Sequence, residues 1–119
     1  MTVVYGIPNC DTVKKARAWL AENGVDYEFS DFKKTPPDEA QIESWLQHIP
    51  LETLLNKRGT TWRKLNAAEQ AEADTRAGAV KLMAACPSLI KRPVLCCNGR
   101  CYAGFQAAEY GRVFDKPAD

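Results

Sequence analysis

The chain has no Cys-x-x-Cys, a single histidine and no surplus of charge of either sign. No apolar run approaches the roughly 20 residues that a membrane span requires. The first residues lack the basic-then-apolar pattern of a secretory signal, so the expected setting is a soluble, cytoplasmic protein with no membrane role. Sixteen lysines and arginines against fifteen aspartates and glutamates leave a formal charge of +1. That balance excludes the global basic field expected of a nucleic-acid binder, and any charge-driven binding must be local. Metal binding has little to work with, because His48 is remote in sequence from the cysteines and reads as a solvated helix residue. At 119 residues the chain is one domain. A domain of that size buries about two thirds of its unfolded surface and needs no disulfides to fold.

Five cysteines are present: Cys10, Cys86, Cys96, Cys97 and Cys101. An odd count that includes adjacent cysteines argues against a secreted disulfide framework. Cys10 has the most informative surroundings. Val3, Val4 and Tyr5 form a β-branched and aromatic run that Gly6 to Asn9 break as a loop. From Asp11 the apolar residues Val13, Ala16 and Leu20 recur at helical spacing, Asn9 or Asp11 can cap the start, and Asn23-Gly24 is a stop. Cys10 is therefore predicted at the mouth of a helix, where unpaired amides and about half a positive charge favour a thiolate. Lys14 adds a cation one turn along. Such surroundings can lower a cysteine pKa from about 8.5 to between about 3.5 and 7.5, which makes the sulfur a nucleophile at neutral pH. The plainer alternative is a small buried apolar residue that happens to fall in a loop.

Val25, Tyr27 and Phe29 then alternate with Asp26, Glu28 and Ser30, the period of a half-buried strand. Strand, helix, strand predicts two parallel strands joined by a right-handed crossover. A polar linker, Asp31 to Pro37, leads into a helical stretch from about 36 to 87 that looks inserted. Its marks are Ile42, Trp45, Leu46 and Ile49 before Pro50, then Leu51, Leu54 and Leu55. An Asn66/Glu69 capping box follows, and a last helix runs from about Thr75 to Cys86 with Val80, Met83 and Ala84 inward. Between these lies Asn56 to Lys64, with four cations and no carboxylate. It either grips an anion or is a solvated loop with Trp62 anchored in the core, and charge runs usually just face water.

Val94–Cys97 and Arg100–Tyr102 flank Asn98-Gly99, the strongest short hairpin signal. Counting back from the turn puts Cys96 opposite Cys101 on one face, with Cys97 on the other. A Cys96–Cys101 disulfide is geometrically conceivable, but the reducing cytosol makes packed free thiols the expectation. Gln106 to Phe114 reads as a helix with Ala107, Tyr110 and Phe114 on one face, and Asp115 to Asp119 as a frayed end.

The whole order resembles the arsenate reductase-like family, also called the ArsC and Spx family, and within it the small YffB-type branch. The resemblance rests on Tyr5-Gly-Ile-Pro-Asn-Cys10-Asp-Thr12-Val-Lys14-Lys-Ala16, on Asp31-Phe-Lys-Lys, on Leu54 to Leu65, and on Leu89-Ile-Lys-Arg92-Pro93-Val94. It implies an α/β, thioredoxin-like fold with a four-stranded mixed sheet: β-α-β, helical insert, β-hairpin, α. It also implies Cys10 as the nucleophile, Thr12 and Lys14 as the polar and basic positions after it, Arg92 as an arginine facing the sulfur, and Pro93 as a cis-proline beside it. A guanidinium can hold a thiolate or an oxyanion with forked donors.

Two cations that arsenate reductases use have no counterpart, since Ala103-Gly104-Phe105 and Glu52-Thr53 occupy those places. Each charge-assisted contact is worth about 1.5 to 3 kcal/mol, so a free arsenate dianion would be held weakly unless Arg58 or Arg63 of the basic loop substitutes. The redox-sensing relatives that bind RNA polymerase use Cys-x-x-Cys, where this chain has Val13. A phosphatase-type Cys-x5-Arg loop fails too, with Ala16 at that spacing and Arg17 one place late. The expected activity is a glutathione-linked thiol/disulfide reductase acting as a monomer, with Cys10 and Arg92 catalytic. Asn9, Thr12, Lys14, Arg58 and Arg63 are the expected thiolate- or anion-binding residues. Glutathione is the expected co-substrate, glutaredoxin or an oxidised protein thiol a possible partner, and no tightly bound cofactor or metal is expected. The other readings are arsenate reduction and a non-catalytic regulator that docks on RNA polymerase or another protein.

Overall fold

The structure is a computed structural model and describes residues 1–116. In chain order its elements are β1 (Val3–Gly6), α1 (Asp11–Glu22), β2 (Glu28–Asp31), α2 (Glu39–Leu46), α3 (Leu51–Leu54), α4 (Thr60–Arg63), α5 (Ala67–Glu72) and α6 (Arg76–Ala85). A 3-10 turn at Pro87–Leu89, β3 (Val94–Cys97), β4 (Arg100–Ala103) and α7 (Ala107–Val113) complete them. They form two compact units, one built from Met1–Lys34 and the chain from Arg92 onward, the other from Thr35–Lys91.

The first unit is a four-stranded mixed sheet in the order β2-β1-β3-β4, the thioredoxin-like arrangement. β1 pairs parallel with β2 and antiparallel with β3, and β3 pairs antiparallel with β4. One face of the sheet carries the core: Val4 and Leu95 from the strands, Ala16 and Leu20 from α1, and Tyr110 from α7, all fully buried. Trp19, Phe105 and Phe114 close around Tyr110, with Phe105 edge-on at 4.7 Å and Trp19 edge-on at 5.6 Å between centroids. Burying a large apolar side chain stabilises by about 1.5 to 3 kcal/mol, so this aromatic cluster is what holds both helices to the sheet.

Several boundaries differ from those read in the sequence, each for a local reason. β2 begins at Glu28, not Val25, because the Val25 amide turns back to the Leu20 carbonyl and the Gly24 amide to that of Ala21, with Gly24 at φ 68°. These two bonds cap α1, and the main chain of Val25 is not available to a strand. At the other end Ala107 is exposed while Tyr110 is buried. Asp115 and Lys116 do not fray: the Lys116 amide donates to Gly111 and that of Asp115 to Arg112, the same double cap with Asp115 at φ 55°. The rest of that expected frayed end, 117–119, lies outside the described residues.

The hairpin brings the largest correction. Cys96 and Cys101 form a disulfide rather than packed free thiols. They are paired directly in the register, one step from a turn in which Asn98 and Gly99 both take positive φ, with Cα atoms 4.1 Å apart. In a two-residue hairpin this is the close, non-hydrogen-bonded pair, so the backbone already sets the two sulfurs within bonding reach. The expectation from compartment gave too little weight to that proximity.

In the second unit Asp38 caps α2 through the Gln41 amide, and Ile42, Trp45, Leu46 and Ile49 are buried. The Asn66/Glu69 capping box is formed in both directions. Ala84 is only half-buried, and Ala79 and Leu82 complete the inner face of α6. The basic stretch is not all loop, since α4 occupies Thr60–Arg63. Trp62 is half-buried instead of core, with the Lys57 ammonium 5.2 Å from its ring centroid. That contact spends apolar surface on a cation at the rim.

Gly78 sits in the first turn of α6, its amide donating to Thr75 Oγ1. A methyl group there would land on the Glu72 main-chain carbonyl. On an exposed helix, Gly→Ala ordinarily stabilises by up to about 1 kcal/mol. Here the sign is expected to reverse, with Gly78→Ala lowering stability by about 1 to 3 kcal/mol as an overpacked site. The urea unfolding midpoint, compared at unchanged slope, checks this.

Candidate active site

Cys10 is itself the N-cap of α1, with extended backbone, and its carbonyl accepts the first helical bond from the Lys14 amide at 2.9 Å. Neither Asn9 nor Asp11 caps the helix as expected; Asn9 lies exposed in the turn closed by the Cys10 amide on the Ile7 carbonyl, and Asp11 is the first helical residue. The sulfur thus stands where a serine or aspartate oxygen stands in an ordinary cap, facing the amides two and three residues on. Gly6 permits this closeness, because a Cβ there would come within 2.8 Å of Val13 Cγ2 and push the first turn of α1 away from the end of β1.

Arg92 arrives from the far end of the chain. Val94 pairs with Tyr5, so the residues just before β3 lie beside those just after β1. The Arg92–Pro93 peptide is cis and Pro93 is buried, its carbonyl accepting from the Gly104 amide at 2.8 Å. Gly104, at φ 82°, follows β4 directly, so the end of the hairpin pins the segment that carries the guanidinium.

The balance at the sulfur is a competition. Partial burial opposes ionisation of Cys10 and is the largest single influence, but the Val13 amide, the Arg92 guanidinium and the Thr12 amide together outweigh it and hold the thiol below its ordinary value. Cys10 makes no side-chain cap bond of ordinary hydrogen-bond geometry as a thiol, so these donors act chiefly on the anion. Lys14 is exposed and is not among the groups that lower Cys10. The added cation is Arg92 alone. Thr12 contributes its main chain, its side chain being exposed.

One contributor was missed in the sequence, the Val13 amide. Counting three residues on from Cys10 as the cap would have found it. Arg58 and Arg63 belong to the helical unit, where both are exposed and the Arg58 amide bonds Asn56 Oδ1. Among the described residues no three histidine, cysteine or acidic side chains are grouped to hold a metal ion, and no helix is long and apolar enough to cross a membrane. Cys97 is buried, and burial pushes its thiol up, opposed in part by the charge of the chain's amino terminus.

A cysteine at a helix mouth whose thiol is held below its ordinary value, with an arginine that precedes a cis-proline on a thioredoxin-like sheet, is an arrangement of the arsenate reductase-like class. The ArsC family profile matches residues 5–113, and the chain belongs to that family. It is similar to a YffB protein of solved structure, 45% identical with a TM-score of 0.89, over 94% of this chain and 97% of that one. An arsenate reductase-related protein from Brucella melitensis is also 45% identical, with a TM-score of 0.73 over 95% of this chain and 93% of the other. The global transcriptional regulator Spx of Streptococcus pyogenes serotype M6 is 28% identical over 92% of this chain and 81% of its own.

The rate of Cys10 alkylation by iodoacetamide against pH is expected to show a midpoint below the roughly 8.5 of a free cysteine. Arg92→Gln should move that midpoint up, while Lys14→Gln should leave it in place. Because the folded value is the lower one, the thiolate's contribution to stability is present above about pH 8.5 and is lost as pH falls through the folded value. The stability of wild type relative to Cys10→Ser should therefore rise with pH across that window, as read by denaturant titration.

Proposed function

We propose that this protein is a glutathione-linked thiol/disulfide reductase that works through the single sulfur of Cys10. The observation that carries the reading is a cap-position sulfur whose ionisation is favoured by two amides and one guanidinium, with Val13 where a second cysteine would stand. With no resolving thiol in the same turn, an external thiol is the simplest resolver. The Cys10 thiolate attacks one sulfur of a glutathione mixed disulfide. An S–S bond forms between Cys10 and glutathione, and the other thiolate leaves and takes up a proton. The thiolate of a second glutathione then attacks the Cys10-bound adduct, releasing glutathione disulfide and regenerating the Cys10 thiolate. In net, the mixed disulfide and one reduced glutathione become a free thiol and glutathione disulfide, the bound glutathione passing through Cys10 on the way.

Arg92 keeps the attacking anion at the helix mouth and steadies the charge shared along three sulfurs in the transition state. It is also the group in this unit best placed to receive a glutathione carboxylate, with Lys14 exposed one turn further along α1. Glutaredoxin or an oxidised protein thiol fits as the disulfide donor, and a reducing cytoplasm, in which a monomer works alone, supplies the glutathione. Similarity to a transcriptional regulator supports a second reading, in which the same sulfur reports redox state to a partner such as RNA polymerase.

Mild oxidation with glutathione disulfide is expected to place one glutathione on Cys10, seen by mass spectrometry, and the adduct should vanish in Cys10→Ser. Reduction of a glutathionylated test disulfide should fall at least a hundredfold in Cys10→Ser. Failure of the adduct to form, or its transfer to no second glutathione, sinks the reductase. Arsenate turnover with glutathione and glutaredoxin present would instead move the assignment to arsenate reduction.

A further inference from the structure

The hairpin holds two sulfurs that the reaction at Cys10 does not use. We propose that Cys96 and Cys101 form a second, independent redox site, a reversible dithiol/disulfide couple that exchanges two electrons with small disulfides of the glutathione class. It goes beyond the reductase reading and does not depend on it.

Four observations carry this. Cys96 and Cys101 are joined, and the register places them directly opposite one another with Cα atoms 4.1 Å apart, so forming the bond requires no movement of the strands. The bond is not the hairpin's sole support, because the Asn98-Gly99 turn, the β3–β4 ladder and the pairing of β3 with β1 stand beside it. A staple that spans only five positions of sequence also removes little freedom from the unfolded chain compared with one closing a long loop. Both residues are half-buried on β3 and on β4, the edge of the sheet, whereas Cys97, which points to the opposite face, is buried with its thiol pushed up. Proximity and access belong to the cross-strand pair and not to the adjacent one.

Position separates this site from Cys10. Cys10 lies beyond the Gly6 end of β1, beside Arg92 and Pro93, while Cys96 pairs with Val3 at the other end of that strand. Three strand steps, roughly 10 Å, lie between Pro93 and Cys96. That spacing sets the hairpin sulfurs and Cys10 at opposite ends of β1 within one molecule.

The step balances without a further reactant. One hairpin thiolate attacks a sulfur of a glutathione-type disulfide, forming a mixed disulfide and expelling one thiolate. The facing hairpin thiol, as its thiolate, attacks the protein sulfur of that mixed disulfide, closes the Cys96–Cys101 bond and expels the second thiolate. The protein loses two electrons and two protons, and the small disulfide becomes two thiols. Excess reduced thiol runs the steps backward.

The test equilibrates the Cys10→Ser protein in glutathione buffers of graded ratio, traps free thiols with iodoacetamide and reads the peptide containing Cys96, Cys97 and Cys101 by mass spectrometry. The expected result is a peptide carrying one alkyl group under oxidising ratios and three under reducing ratios. The change from one-tenth to nine-tenths oxidised should span about an eightyfold change in the square of the reduced glutathione concentration divided by that of glutathione disulfide, the two-electron form. Cys97→Ser added to this background should leave the transition in place. Three alkyl groups at every ratio, or a bond that survives excess reduced glutathione, overturns the proposal, as does loss of the transition in Cys97→Ser. Because Cys10 is absent throughout, these outcomes are separate from success or failure at the first site.

Discussion

The structure turns on the contest at one sulfur between loss of water and gain of oriented donors. Partial burial alone would push the Cys10 thiol up. Three groups reverse that, and each comes from a different level of the structure. The Val13 and Thr12 amides come from the mere fact that a helix starts at Asp11. The Arg92 guanidinium comes from the sheet, through the antiparallel register that sets Val94 against Tyr5. A helix end supplies about half a charge to whatever stands at its cap, while a guanidinium supplies a whole one and can be aimed only by tertiary structure.

That division explains why the sheet and its two packed helices are built as they are. α1 must be held at a fixed height above β1 for its amides to meet the sulfur, and the seating is done by Val13, Ala16 and Leu20 on the sheet and by Trp19 on the Tyr110 cluster. α7 contributes no group to the site, yet Tyr110 is the residue around which Trp19, Phe105 and Phe114 gather. Phe105 follows Gly104, whose amide holds the Pro93 carbonyl, so one short segment serves both the core and the site. The fold's stability and the aim of Arg92 therefore share residues.

Much of this was legible in the residues. The β-branched and aromatic run Val3–Tyr5, the apolar run Val94–Cys97, the Asn98-Gly99 turn and the 3.6-residue spacing of Val13, Ala16 and Leu20 are local signals, and local physics reads them directly. The capping box at Asn66 and Glu69 was equally plain. What went unread was of two kinds. The chain just beyond a helix was misread where main-chain bonds close that helix, as a strand start at Val25 and as a frayed end at Lys116, since an amide's partner leaves no mark in composition. The disulfide was misjudged because a prior about compartment was set against a distance that only the pairing register fixes. Arg92 was legible by another route: nothing within ten residues of Cys10 points to it, and only likeness to a family did so.

The charge at the site also bears on why one family frame serves different chemistry. Sulfur exchange passes a single negative charge along a line of sulfurs, and one guanidinium at the helix mouth matches that charge without overfilling it. An arsenate-sized dianion brings two charges and several acceptor oxygens, and holding it against water asks for more donors in fixed positions. In this unit the place after the hairpin is taken by Gly104, whose positive φ and amide bond to Pro93 serve the backbone. An arginine put there would meet the left-handed conformation that a side chain resists, and the amide that pins Pro93 would be at risk. Gly104 steadies Arg92 through Pro93, so a second guanidinium put at this position would disturb the aim of the first.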